Sequence, residues 1–234
     1  MLREQPTPIE QDWTVIFVLD RKIDCDGQKH PALRGGKRAF DVIASLLLLI
    51  LLSPALLLVA LTILATMGRP IFFRQVRPGL DGQPFRMVKF RSMYDAYDDQ
   101  GAPLPDDKRL GNVGRLLRST SLDEVPELFN ILRGDMSLVG PRPLLMEYLP
   151  LYSADQFRRH QVRPGLTGLA QVSGRNALSW EEKFALDLRY VDQWSMALDL
   201  KILAETIWKV LFRHGISHSD HATAPKFQGN QDNQ

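Results

Sequence analysis

Residues 42–67 run for 26 positions without a charged side chain. Wound into a helix they reach about 39 Å, enough to cross the roughly 30 Å hydrocarbon core of a bilayer. The run is too long for a core helix of a small soluble domain. It also starts too late, and lacks the small-residue cleavage site, for a signal peptide. A membrane element is the consequence, and the chemistry of the remaining chain has to work beside a lipid surface. Near the middle of the run stands Ser53-Pro54. Proline has no N–H to donate, so it frees a carbonyl one turn back and bends the helix, while the serine hydroxyl can serve the exposed backbone. The break predicts two arms of about 12 residues, each about 18 Å, close to the depth of one leaflet. Arg34, Lys37 and Arg38 precede the run and Arg69, Arg74 and Arg77 follow it. Basic flanks prefer the cytoplasm, so both ends belong on that side. A re-entrant helix-break-helix hairpin over 37–68 satisfies this; a kinked spanning helix is the alternative that the residues alone leave open.

The fold class that follows is α+β: the membrane hairpin plus a small, mainly helical cytosolic domain over 69–216 with a β-hairpin. Residues 71–93 supply the hairpin, turning through Pro78, Gly79, Asp81 and Gly82. Alternation along its second arm puts Phe85, Met87, Lys89 and Arg91 on one face, so Lys89 and Arg91 point together. Residues 94–114 read as an acidic loop. Ser179-x-x-Glu182 is a capping box. Residues 199–214 form an amphipathic helix with Leu200, Leu203, Ile207 and Leu211 on its stripe and Gly215 as C-cap. Trp194, Trp208 and Phe212 beside Lys201, Lys209 and Arg213 suit either a membrane interface or core packing. The hexamer QVRPGL occurs at 75–80 and again at 161–166, which predicts two type II turns. Residues 1–36 form an N-terminal extension containing a strand-length apolar run at 13–19, and 217–234 form a C-terminal tail. With 29 basic and 27 acidic residues the net charge is +2, so no global nucleic-acid footprint is present, although a pI of about 8.7 allows local basic patches. Cys25 is the single cysteine, which excludes an internal disulfide.

The densest polar chemistry lies at 118–143, RSTSLDEVPELFNILRGDMSLVGPRP. Adjacent Asp123 and Glu124 follow three hydroxyl residues and stand between Arg118 and Arg142. Two acids between two guanidiniums suit anion chemistry assisted by a divalent cation. Ser121-x-x-Glu124 also fits a capping box at a helix start, with Pro126 marking where that helix kinks or begins. In Gly140-Pro141-Arg142-Pro143 two prolines stiffen the chain around one arginine, so its fork loses little entropy on meeting a phosphate.

The stretch, taken with KRAFDV at 37, the Ser-Pro inside the apolar run, VKFRSM at 88 and VRPGLTGLAQVSGRN at 162, resembles the bacterial sugar transferases of the monotopic phosphoglycosyl transferase family. EYLPLY, GRNALSW and KFQG most resemble the small members typified by the bacillosamine phosphate transferase of protein glycosylation. The resemblance covers about residues 37–229 and implies a re-entrant membrane helix on the cytoplasmic face of the bacterial inner membrane. It implies transfer of a sugar-1-phosphate from a UDP-sugar, an N-acetylated amino or diamino sugar, to polyprenyl (undecaprenyl) phosphate. By the same resemblance Asp123 is the nucleophile, Glu124 the Mg²⁺ ligand, and Lys89, Arg118, Pro141, Arg142 and Arg175 the substrate-binding residues, with downstream glycosyltransferases as further partners. The competing reading is a non-catalytic, membrane-anchored module that binds anionic headgroups while Asp123 and Glu124 cap a helix. Walker, G-x-S-x-G and H-E-x-x-H motifs are absent from the sequence.

Overall fold

The computed structural model describes residues 35–102, 104–174, 177–212 and 226–229. The run at 13–19, Cys25, Arg175, Gly215 and most of the tail lie outside them. Helix α1 spans Gly35–Thr66 and stays helical through Pro54. The proline leaves Ile50 O without its usual donor, and Ser53 Oγ donates to that same carbonyl at 2.8 Å. One stripe of α1, through Asp41, Ser45, Val59 and Ile63, is buried, whereas Ile43, Leu47, Ile50, Leu51, Leu57 and Leu58 are each more than half exposed.

Both ends of α1 hold to the same folded body. At its start Lys37 pairs with Asp199, which also accepts from Tyr190 Oη at 2.8 Å and Trp194 Nε1 at 3.1 Å. Asp41 Oδ1 accepts from Leu138 N at 3.1 Å. Towards its end Val59 and Ile63 pack against Phe90 and Leu117.

After α1 come the antiparallel strands β1 (Phe72–Pro78) and β2 (Pro84–Phe90), with Phe73 opposite Lys89, Gln75 opposite Met87 and Arg77 opposite Phe85. The expected hairpin is present, but it separates Lys89 from Arg91. Strand β2 stops at Phe90, and Arg91 turns away to the carbonyls of Met67 and Arg69 and to Asp95 at 2.7 Å. Then follow α2 (Asp106–Arg109), α3 (Asn112–Ser119), a 3₁₀ turn at Leu122–Glu124 and α4 (Glu127–Arg133). Arg38 of α1 donates to the last carbonyls of α4, Ile131 O and Leu132 O, where a cation also meets the negative helix end.

Strands β3 (Ser137–Val139) and β4 (Gly165–Thr167) pair in parallel. The second QVRPGL copy therefore runs into β4 at Gly165 instead of making a type II turn. In neither copy does the glycine take a positive φ; that conformation falls to Asp81 and Gly82 after the first. Glycine is required in the second copy by proximity, since a Cβ on Gly165 would lie 2.1 Å from Gly140 N. Helices α5 (Ala154–Phe157), α6 (Leu169–Ser173), α7 (Trp180–Gln193) and α8 (Met196–Phe212) complete the body. Ser179 and Glu182 form the predicted capping box of α7. On α8, Ile202 and Leu203 meet the core formed by Leu128, Ile131, Met136, Val139 and Tyr190, while Leu200, Ile207, Trp208 and Phe212 face outward.

Three separated motifs meet in a second cluster. Tyr148 and Tyr152 of EYLPLY, Trp180 and Phe184 gather around Phe227 of KFQG, and Lys226 pairs with Glu147 at 3.2 Å. Phe227 is thus packed into the domain. Phe227→Ala should cost about 3 kcal/mol, read as a lower urea midpoint with the slope unchanged.

Candidate active site

Lys89 is placed by β2, and β2 is placed by Asn130. This fully buried side chain accepts from Val88 N at 3.1 Å and donates to Arg86 O at 2.8 Å, so it continues the ladder of β2 as a neighbouring strand would. It ties the strand to α4, and Lys89 Nζ reaches Glu124 Oε1 at 2.7 Å and Glu127 Oε1 at 3.1 Å. Asn130→Ala orphans a backbone donor and an acceptor, and should lower stability by about 2 kcal/mol in urea unfolding.

The capping-box expectation at Ser121 fails. Ser121 sits at φ 56°, ψ 17°, left-handed, and its side chain makes no cap bond. The left-handed step reverses the chain between α3 and the 3₁₀ turn. It presents Asp123, 8% exposed, and aims Glu124 at cations instead of its own backbone. Pro126 stands at the mouth of α4 in helical geometry, so the helix begins there.

Arg142 Nη2 donates to Glu124 Oε1 at 2.5 Å. Its loop is stitched to β4 by Gly140 N to Thr167 O at 2.9 Å and by Gly165 N to Pro141 O at 3.0 Å, and Pro141 is buried. Arg159, buried and paired with Asp187 at 2.7 Å, donates to Arg142 O at 2.7 Å and fixes the loop from behind. Arg118 Nε donates to Ser92 Oγ at 3.1 Å, with its charge felt at Asp123. Lys89, Arg118, Asp123, Glu124, Pro141 and Arg142 are thereby brought into one region; Arg175 lies outside the described residues. Ser53 and Pro54 belong to α1 and take no part. A cleft of about 70 Å³ opens between Arg77, Met87, Lys89, Glu127, Arg142, Pro143 and Leu144. That suits a phosphoryl group, well below the roughly 300 Å³ and more of pockets enclosing whole ligands.

The electrostatics divide the two adjacent acids. Burial, reinforced by Glu124, pushes the Asp123 carboxyl up to about 6 against the pull of Lys89 and Arg118. Burial would raise Glu124 too, but Arg142 and Lys89 outweigh it and hold that carboxyl well below the usual range. Both cations grip Oε1, so among the described residues Oε2 has no protein partner and remains a hard oxygen donor. Among the described residues no group of three or more His, Cys, Asp or Glu could hold a metal alone. A cation held by one carboxylate and substrate phosphates, the habit of Mg²⁺, fits this donor set. Glu127, raised to about 7 by burial with Glu124 adding to it, was not foreseen, nor were Arg77, Asn130, Arg159 and Asp187. Only Glu127 left a local signal, since its spacing of three from Glu124 suits one helical face.

Known proteins share this arrangement of sequence. Residues 33–213 match the family model described as bacterial sugar transferase. The chain is 55% identical over 196 residues, 84% of its length, to a protein of Bacillus subtilis (strain 168) called "Uncharacterized sugar transferase EpsL", of which it covers 97%. It is 41% identical to the exopolysaccharide production protein ExoY of Rhizobium meliloti (strain 1021), with 81% of this chain and 91% of that one aligned. It is 44% identical to the UDP-glucose:undecaprenyl-phosphate glucose-1-phosphate transferase of Klebsiella pneumoniae, with 74% of this chain aligned to 39% of that longer one. These names speak of exopolysaccharide and glucose, not of bacillosamine or protein glycosylation. The match takes in α1, the hairpin, the carboxylate pair and the arginine loop together, and the chain belongs to the bacterial sugar transferase family.

Proposed function

We propose that the chain moves a sugar-1-phosphate from a UDP-sugar to polyprenyl phosphate, by way of a covalent intermediate on Asp123. The observation that carries this is the division of labour within the carboxylate pair. Glu124 is consumed by Lys89 and Arg142, while Asp123 has no cation within ion-pair distance among the described residues and keeps its oxygens for chemistry. An Asp123 oxygen attacks the β-phosphorus, the bond from that phosphorus to the bridging oxygen breaks, and UMP leaves with the electron pair. An oxygen of polyprenyl phosphate then attacks the same phosphorus and expels the Asp123 carboxylate, giving polyprenyl-diphospho-sugar. Negative charge grows on the transferring and leaving groups, and Lys89, Arg118 and Arg142 neutralise and orient it. Mg²⁺ at Glu124 would lend Lewis acidity to the phosphate oxygens.

A membrane location at the bacterial cytoplasmic face is part of this reading. The outward leucines of α1 suit lipid. Both ends of α1 grip one body, which a helix spanning the bilayer could do only by placing that body on both sides; this supports re-entry. Trp208 and Phe212 on α8, beside Lys209, suit the interface. The sugar we favour is an N-acetylated amino or diamino sugar, on the likeness of the EYLPLY, GRNALSW and KFQG stretches to the small members. The test is UMP release by detergent-purified protein with Mg²⁺, undecaprenyl phosphate and a UDP-sugar panel that includes UDP-glucose. Release with an acetamido sugar and little with glucose is expected. Preference for UDP-glucose would overturn the sugar, and no release with any member would favour the headgroup-binding module.

A further inference from the structure

The cleft holds a cation that the mechanism above leaves idle. Arg77 is directly opposite Phe85 in the hairpin, four residues along from Lys89 on the same face, with Met87 between them. Arg77, Met87 and Lys89 line the cleft together with Arg142. Lys89 and Arg142 are each ion-paired with Glu124. Arg77 is not: its Nη2 donates to the neutral Gln75 Oε1 at 2.6 Å, its buried Nε has no hydrogen-bond partner, and among the described residues no carboxylate lies within ion-pair distance. A half-buried guanidinium that feels a second one, and that has Glu127 and Glu147 only at longer range, is in a costly arrangement that a bound anion relieves. Burial first, then Arg142, lower its proton affinity to about 10, still fully charged at neutral pH.

The two ends of the cleft differ. Lys89 marks the end where Asp123 and Glu124 wait, so the attacked β-phosphate sits there. Arg77 is roughly 13 Å further along the strand at the backbone, a gap that two long side chains close around a diphosphate. Resting on the proposed reaction, we infer that Arg77 is a further substrate-binding residue, one that holds the α-phosphate of the UDP-sugar and keeps it as the phosphate of departing UMP. Guanidinium forks meet phosphate oxygens bidentately, and a rotation of the Arg77 side chain off Gln75 would turn its unpartnered Nε and a terminal nitrogen to the phosphate as such a fork.

The experiment compares wild type with Arg77→Gln in detergent, following UMP and uridine binding by calorimetry and the melting temperature without nucleotide. Wild type should bind UMP, with Arg77→Gln at least tenfold weaker, uridine binding equal in the two, and the nucleotide-free melting temperature unchanged or higher. Packing alone would instead lower the melting temperature and leave UMP affinity intact. Equal UMP affinity in the two proteins would overturn the assignment while the proposed reaction stands. Failure of wild type to bind either UMP or uridine would remove the reaction and this inference together. Should Arg77→Gln not fold, Arg77→Lys decides: a severalfold loss of UMP affinity supports the fork, and wild-type affinity overturns it.

Discussion

Asp123→Asn should abolish sugar-phosphate transfer and at the same time make the protein more stable. The amide cannot form the covalent intermediate, and UMP release should fall at least about a thousandfold, near 4 kcal/mol of transition-state stabilisation. The gain in stability follows from the environment of the carboxyl. Asp123 is buried and next to Glu124, and its proton affinity is pushed up to about 6. Its folded-state pKa is raised, so its contribution to stability is complete below about pH 4 and disappears as pH rises through about 6. In neutral solution without divalent cation, the ionised group opposes folding by something on the order of 3 kcal/mol. The asparagine variant escapes that penalty. At pH 7.5 it should melt several degrees above wild type, and at pH 4 the two should coincide, as differential scanning fluorimetry in detergent would show.

Glu124→Gln should be crippling in the opposite way, losing both activity and stability. This carboxylate is the shared partner of Lys89 at 2.7 Å and Arg142 at 2.5 Å. Despite burial, the two cations hold it ionised far below the usual range. A depressed pKa contributes stability above the ordinary carboxylate range and loses it as pH falls further. At neutral pH the glutamine therefore releases two cations, with only Glu127 left beside Lys89 at 3.1 Å. Stability should fall by about 2 kcal/mol, the worth of hydrogen bonds to charged groups. Turnover should fall about a hundredfold or more, and the Mg²⁺ concentration for half-maximal rate should rise at least tenfold, read from a magnesium titration of UMP release. Neighbouring acids of the same charge are thus expected to shift the melting temperature in opposite directions at pH 7.5. A uniform loss at both positions would mean that the pair is structural.

The parts legible in the sequence were those written in local pattern. An uncharged run of 26 residues gave α1, alternation gave the β1–β2 hairpin, and Ser179 with Glu182 marked the start of α7. Ser53 was read as serving the backbone freed by Pro54, and its hydroxyl reaches that very carbonyl. The same pattern logic misread Ser121, because a serine in left-handed conformation carries no mark in the sequence and a capping box has the same letters. Alternation likewise put Arg91 beside Lys89, since nothing local announces that β2 ends at Phe90. What stayed hidden depends on distant partners. Asn130 acts on β2 from 42 positions away, and Arg159 acts on Arg142 through a pair with Asp187, 28 positions on. Polar residues of this kind read as surface until the fold buries them. EYLPLY, Trp180 and KFQG stand out in the sequence only as likeness to small family members, and their physical reason, one aromatic cluster around Phe227, required the third dimension.

The covalent step is the centre of this account, and intact-mass spectrometry of the protein in detergent tests it directly. Wild type and Asp123→Asn would be incubated with Mg²⁺ and the UDP-sugar that gives UMP release, without lipid acceptor. Wild type should gain the mass of one sugar phosphate, release one equivalent of UMP, and lose the added mass when polyprenyl phosphate is supplied, while Asp123→Asn gains nothing. UMP release only in the presence of lipid phosphate, with no adduct on wild type, would contradict the intermediate and point to direct transfer between the two substrates.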